Sequence, residues 1–526
     1  MVKDINIGFD GSEPMHFVRM GSLTYFIAND AAHGFELWVT DGTEPGTSMV
    51  KDIAPGPANA CQYSSMHGIQ ITDLQVLGKA LYFFANDGNR GFELWRSDGT
   101  ESGTMIVKDI FPGKISSCVD LNLVKAGNLL YFAANDGVHG TELWKTDGTD
   151  TGTTIVKDLN PGIKDGNPQY FFADSNILYF GANNGVDGYG IWKTDGTEAG
   201  TIYLSNAAPT PGKSGVVSYT KYKGTLYFSG FTLDNGTELW KTDGTPGGTV
   251  LVKDIVPGKD AGTPVGLVTF KDHVVFAAAT AQCGLELWQS DGTEAGTNMV
   301  KDICHGPGSS NPSSLTVLKD KIYFVAKDSI HGPELWVTDL SDTGTHLFKD
   351  IDSTQPGSTE PKNLFQAGDK IYFTAKNSKW GNELWQTDGT ISGTKMLNEI
   401  CLGACSSSPD NFYLSDSIIF FSATDEAHGT ELYRLGADST LLQQITDENH
   451  AGVYVDPLRR QLVRMTQTGS DILYIKVFDL RGDEMLTQYT KDPIPLSVDS
   501  FEKGIYLIRA YDKNDRMVAF ARFIKE

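Results

Sequence analysis

The sequence predicts an all-β fold, a β-propeller built from four-stranded blades. Three observations carry this: a phrase that recurs at a fixed period, four strand-like runs in each period, and no helical stripe. The phrase is Gly-x-Glu-Leu-Trp-x-x-Asp-Gly-Thr-x-x-Gly-Thr, followed by Val-Lys-Asp-Ile. Its tryptophan falls at Trp38, Trp95, Trp144, Trp192, Trp240, Trp288, Trp336 and Trp385, and Tyr433 holds the slot in a ninth, degenerate copy. Successive steps are 57, 49, 48, 48, 48, 48, 49 and 48 residues. A period of this length marks an array of one supersecondary unit, each copy burying its faces on its neighbours.

The third copy shows the elements in order. Residues 121–126 alternate apolar and polar, and Gly127-Asn128 makes a turn. Residues 129–134 form a dense apolar strand, closed by the turn-forming loop from Asn135 to Gly140. Residues 142–146 make a third strand, with Leu143 opposite in sense to Glu142 and Trp144. The turn Asp147-Gly148-Thr149 leads into a fourth strand at 155–159, ended by Asn160-Pro161-Gly162. Four strands in a period near 48 residues is the pattern of a propeller blade. Eight or nine blades both fit. Residues 2–5 repeat the fourth-strand phrase with no blade before them and offer a strand to complete the last blade; residues 441–445 offer another.

A second domain is expected from about residue 450, giving 1–449 and 450–526. The chain carries 43 Lys and Arg against 66 Asp and Glu, a net charge of −23. From Ala451 onward the balance is 12 basic to 11 acidic residues, and only Gly452, Gly469, Gly482 and Gly504 of the 57 glycines lie there. No Trp or Cys lies there either. Alternating short strands and turns read as a small β-sandwich. The acidic surface of the array repels nucleic acid and anionic lipid. No apolar run approaches the ~18 residues of a membrane helix, and the first residues lack the apolar core of a signal peptide.

The repeated phrase resembles the ELWxxDGT repeat family of bacterial surface and secreted proteins, over roughly residues 1–447. Copy four departs at Gly190-Ile191-Trp192, losing the Glu, and copy seven at Asp339-Leu340-Ser341, losing the turn Gly. The tail is similar to the type A C-terminal sorting domain of the type IX secretion system. Tyr454-Val455-Asp456-Pro457 stands at its opening, Val477 to Gly482 with Asp479 and Gly482 at its central strand and turn, and Gly504-Ile505-Tyr506 at its later strand. Phe523-Ile524-Lys525 matches its ending. That resemblance implies export across both membranes of a Gram-negative cell, through the type IX machinery, and release or surface attachment. It also implies a signal peptide that once preceded Met1.

Residues repeated in every copy read as scaffold, because a catalytic site occurs once. Trp packs between blades, Asp caps a turn and Gly supplies positive φ. The Asp-Gly loops invite calcium, yet each offers only one or two carboxylates and turn chemistry accounts for them, so no cofactor and no metal site are expected. No Gly-x-Ser-x-Gly, His-Glu-x-x-His or phosphate-cradling loop occurs. One slot varies freely, just before the Gly of Gly-x-Glu-Leu-Trp. It holds His33, Arg90, His139, Asp187, Asn235, Cys283, His331, Trp380 and His428 in turn. Constant frame and variable loop make Trp380, Arg90, Asp187 and the four histidines the ligand-binding candidates. The six cysteines suit an exported protein. Cys283 and Cys304 are equidistant from one hairpin turn and are expected to be bridged; Cys61 with Cys118, and Cys401 with Cys405, are the other candidate pairs.

Together these features predict a secreted or surface-attached binding or adhesion protein with an unknown protein or glycan ligand. The alternative is an extracellular hydrolase or lyase acting on carbohydrate near the central channel.

Overall fold

The structure is a computed structural model. It describes residues 1–61, 74–118, 121–210, 218–352, 359–401, 403 and 405–436, and in the remainder the strand residues 455–456, 461–462, 472–479, 484–489, 504–512 and 517–525. Among them there are strands and turns but no helix. The chain divides into two compact units, Met1–Ala437 and Asp438–Glu526, a dozen residues before the expected break.

The first unit is a nine-bladed β-propeller. Blade 3 consists of Val124–Ala126, Leu129–Asn135, Thr141–Thr146 and Thr154–Lys157, paired in that order as an antiparallel meander. Blades 1, 4, 6, 7 and 8 repeat the plan, as does blade 2, and blade 5 adds a short strand, Ala208–Pro209, against Thr225–Thr232. The first strands touch their neighbours around the whole ring, from Met15–Met20 through Gln75–Leu77 and onward to Asp410–Ser415, which returns to Met15–Met20. First strands therefore line the axis and fourth strands the rim.

Each blade buries both faces, which is why its strands are apolar throughout. In blade 3, Trp144 packs with Tyr82, Leu94, Val107 and Ile110 of blade 2. Leu143, on the other face, packs with Leu178, Phe180 and Trp192 of blade 4. The period-2 alternation thus separates one neighbour from the other rather than core from solvent.

The Asp-Gly-Thr phrase is a self-bonded turn. Asp147 Oδ1 accepts the N–H and hydroxyl of Thr149, at 2.9 and 2.7 Å. Thr149 Oγ1 accepts the N–H of Gly152, and the Thr153 hydroxyl donates to the Thr149 carbonyl at 2.6 Å. A Cβ on Gly152 would overlap the Asp147 carboxylate, and a Cβ on Gly148, whose φ is 95°, would overlap the Tyr82 hydroxyl of the preceding blade. Copy seven shows how the turn survives without its glycine. Leu340 adopts φ of 77°, a conformation costly for a branched side chain. Its side chain joins the cluster around Val275, which holds the slot filled by tyrosine in blades 1 to 5. The smaller valine leaves room for the leucine.

The glutamate of Glu-Leu-Trp organises the connection to the next blade. Glu142 is fully buried and accepts N–H bonds from Leu159, Asn160 and Gly166 at 2.8, 3.4 and 2.8 Å. Glu286 likewise accepts from Ile303, Cys304 and Ser310, and also from the Ser310 hydroxyl at 2.6 Å. Blade 4 lacks this acid, and the side chain of Tyr203 fills the space beside Gly190. Burial pushes the carboxyl of Glu36 up to about 8 and those of Glu93, Glu142 and Glu238 up to about 7, against backbone N–H bonds that act the other way. A raised carboxyl pKa means the folded state binds the proton more tightly. The resulting stabilisation is complete below the ordinary Glu range and is lost as pH rises through about 7 to 8. Urea midpoints are therefore expected to be higher near pH 5 than near pH 9. Equal midpoints would mean that burial leaves these acids unshifted.

The N-terminus closes the ring. Lys3 bridges Leu432 in the third strand of blade 9, and the Val2 N–H donates to the Leu432 carbonyl at 2.6 Å. Ile5 and Asn6 donate N–H bonds to Glu431 at 3.1 and 3.2 Å, as Ile53 and Ala54 do to Glu36. Lys3 Nζ donates to the Thr47 carbonyl, just as Lys51 Nζ donates to that of Thr104 in the next blade. Residues 1–6 thus occupy the fourth-strand place of blade 9. The alternative at 441–445 lies outside the described residues.

The second unit contains a four-stranded antiparallel sheet in the order Glu484–Tyr489, Ile472–Asp479, Gly504–Asp512, Met517–Lys525, and a two-stranded pair, Val455–Asp456 with Gln461–Leu462.

Of the three candidate cysteine pairs the structure bears out one. Cys401 and Cys405 form a disulfide across a Cα separation of 5.6 Å, whereas Cys118, Cys283 and Cys304 are free thiols and Cys61 is not bridged to Cys118. Counting outward from the turn fails for Cys283 and Cys304. A bulge between Leu287 and Trp288 shifts the register, and pairing ends at Leu287↔Lys301, before either cysteine is reached. Cys61 and Cys118 lie buried in successive interblade clusters. Equivalent points on neighbouring packed sheets stand roughly 10 Å apart, too far for a bridge. Non-reducing peptide mapping is expected to recover Cys401 linked with Cys405, and Cys283 and Cys304 as alkylatable thiols. A linked Cys283–Cys304 peptide would contradict the register.

Candidate functional site

In an antiparallel meander the loops joining strands 2 to 3 and those joining one blade to the next emerge on the same face of the ring. The two sets touch. In blade 3 the Thr141 N–H donates to Asp165 Oδ1 at 2.7 Å, and the Asn167 N–H donates to the Thr141 carbonyl at 3.0 Å. The predicted variable slot lies in the 2–3 loop.

The structure gives that slot a local role. His33, His139, His331 and His428 each hold the carboxylate three residues earlier through Nδ1, at 2.8, 2.7, 2.9 and 2.9 Å. The same aspartates cap the loop, as in the N–H bond from His33 to Asp30 at 2.8 Å. The hydrogen bond to the partner Asp raises the pKa of His33, His139 and His331. Arg90 lies 3.7 Å from Asp87. In blade 4 the roles reverse, with Asn184 donating to Asp187 at 2.8 Å. Asn235 bonds Thr232 and Asp254. Trp380 is half-buried, and the Lys379 ammonium sits 4.4 Å above its ring. The slot varies together with its partner three residues back, which is loop clamping. Each candidate stands on its own blade, tied to its own loop. Among the described residues the one convergence of three potential ligands is Cys401, Cys405 and Glu426, and its two sulfurs are already joined.

What the sequence reading missed lies one residue earlier. Val138, Val186 and Ile330 precede the variable slot and are 61, 87 and 80% exposed. Ile115, Ile163 and Leu233 stand on loops of the same face, as do Ile7 and Phe9 after the closing strand. On the opposite face, formed by the 1–2 and 3–4 turns, Ile391 is 56% exposed, and Met1, Met105, Val250 and Leu414 at the adjoining strand ends are 38 to 47% exposed. Superposing the copies would have revealed this, since Val138, Val186 and Ile330 are aliphatic where a turn calls for polar residues.

Along the axis, the first strands carry a second recurring feature. His16, Tyr170, Ser314, Asn363 and Asn411 all have φ between 54 and 57°, each at a bulge in its strand's pairing. They stitch neighbours together: the Tyr219 hydroxyl donates to the Tyr170 carbonyl at 2.9 Å, and Asn363 Nδ2 donates to Asp410 at 3.1 Å. Burial lowers the pKa of His16 to about 4, so it is neutral at physiological pH.

No family model and no curated protein matches the chain. Solved structures similar to it include one described as a structural and mechanistic analysis of two prolyl endopeptidases, at 12% identity and TM-score 0.35, covering 70% of this chain and 55% of that one. A puromycin hydrolase gives 11% identity and TM-score 0.32, covering 80% and 60%. A puromycin-hydrolyzing peptidase of Mycobacterium tuberculosis gives 11% and 0.35, covering 80% and 60%. This chain thus spans between 55 and 60% of the length of those three. Likeness at that level brings neither their activity nor their substrates to this chain.

Proposed function

We propose that the protein is an exported, non-catalytic binding protein. Its propeller offers the face of 2–3 and interblade loops to a partner, and its C-terminal unit serves as a type IX sorting domain. The observation that carries the binding reading is the asymmetry of the ring: among the described residues, eight large apolar side chains on one face are at least 61% exposed and none on the other face is. Isolated exposed aliphatics are ordinary, but their concentration on one face of a repeat array marks an interaction surface. The sorting reading rests on the resemblance of the tail. In the sheet, Asp479 pairs with Tyr506 and Gly504 with Lys525, so the central and later motif strands lie side by side. Gly482 lies outside the described residues.

Two measurements test this. In a Gram-negative host with a type IX system, the full chain behind a signal peptide should reach the outside, and a chain ended at Ala437 should stay within the cell. Normal export of the shortened chain would overturn the sorting role. Against an array of glycans and extracellular proteins, Ile163→Asp with Val186→Asp should abolish binding, whereas Ile391→Asp should not. The reverse pattern would place the site on the other face.

A further inference from the structure

The apolar residues of this face are not arranged as a groove. Five of them form a continuous arc over blades 2 to 5: Ile115, Val138, Ile163, Val186 and Leu233, between 61 and 87% exposed. Each caps a separate loop. Val138 and Val186 occupy the same slot in successive copies, so the repeat itself holds their tips at one height above the ring. A level row of single aliphatic tips matches a flat, fluid apolar surface. None of the five tips is aromatic, and Phe111, on the loop of Ile115, is half-buried against Gly137 rather than presented for stacking on a sugar.

Resting on the reading of this face as the binding face, we propose that its partner is a lipid–water interface of zwitterionic headgroups, into which these tips insert. The flanking charges fit that surface. Lys114 adjoins Ile115 and Lys164 adjoins Ile163, while Asp187 adjoins Val186 and Asp234 adjoins Leu233, all four exposed, so the tips are flanked by both signs of charge, as the phosphate and ammonium of a zwitterionic headgroup are. The chain's net charge of −23 opposes a bilayer of net negative charge. A neutral bilayer supplies phosphates for the lysines without the long-range repulsion.

The test is flotation of the full-length protein with vesicles of pure phosphatidylcholine. Wild type should float with the vesicles. Ile163→Asp with Val186→Asp should lower the partition by at least about tenfold, because two inserted side chains are lost. Ile391→Asp, on the opposite face, should float as wild type does and shows that surface charge alone is not responsible. Admixing phosphatidylglycerol at low salt should weaken flotation. Wild type that stays with the soluble fraction, or a double variant that floats unchanged, would overturn the proposal. If wild type ignores vesicles while the double variant still loses its ligand on the protein and glycan array, the lipid assignment falls and the binding face stands. If the double variant matches wild type in both assays, the binding face falls as well.

Discussion

Glu142→Ala is expected to destabilise the propeller by about 3–5 kcal/mol. It leaves the N–H groups of Leu159 and Asn160 buried without the carboxylate that accepts them, each costing roughly 1–3 kcal/mol, while the Gly166 N–H keeps only its bond to the Thr141 carbonyl at 3.1 Å. The connection to blade 4 is threaded over this one carboxylate. Blade 4, which carries Gly190 in this slot, shows what replacement requires: a Tyr203 ring to fill the space. Blade 3 has Ile155 at the position of Tyr203, which does not reach. A shift in the urea midpoint equivalent to less than about 1 kcal/mol would show that water replaces the acid freely.

Removing residues 1–6 is expected to have a larger effect, because it opens the ring. Blade 9 would lose its fourth strand, Glu431 would lose the N–H groups of Ile5 and Asn6, and the Lys3 clasp onto Thr47 would disappear. Ile5 would leave the cluster of Phe26, Trp38, Phe420 and Leu432, uncovering the seam between the last blade and the first. Because blades depend on their neighbours, exposure at one seam spreads along the array. Limited proteolysis should then cut first in blades 1 and 9, and the melting temperature should fall by several degrees or more. Ending the chain at Ala437 should leave the melting of the propeller nearly unchanged, since that unit has its own closed set of clusters. Equal losses from the two truncations would contradict closure by the N-terminal strand.

The blades were legible because their scaffold residues repeat. The turn Thr146 to Thr153 uses each of its hydroxyls, so its sequence and its geometry carry the same information. The Cys401–Cys405 bridge was legible from its short spacing, but the separation of Cys283 from Cys304 was not, because a one-residue bulge at Leu287/Trp288 has no sequence signature of its own. The variable slot was found, but its meaning was hidden. Counting copies shows that His139 and Asp187 differ, while only the coordinates show that each is matched to Asp136 or Asn184 three residues earlier. The exposed aliphatics were overlooked for a related reason. A single valine in a turn is unremarkable, and Val138 and Val186 gain significance only once both loops are seen on one face.

The central claim is a closed ring of nine blades whose last blade is completed by residues 1–6. Face-on electron-microscopy averages of the full-length protein test it most directly. The averages should show a continuous ring of nine lobes. Eight lobes, or an arc with a gap between the first blade and the last, would contradict it.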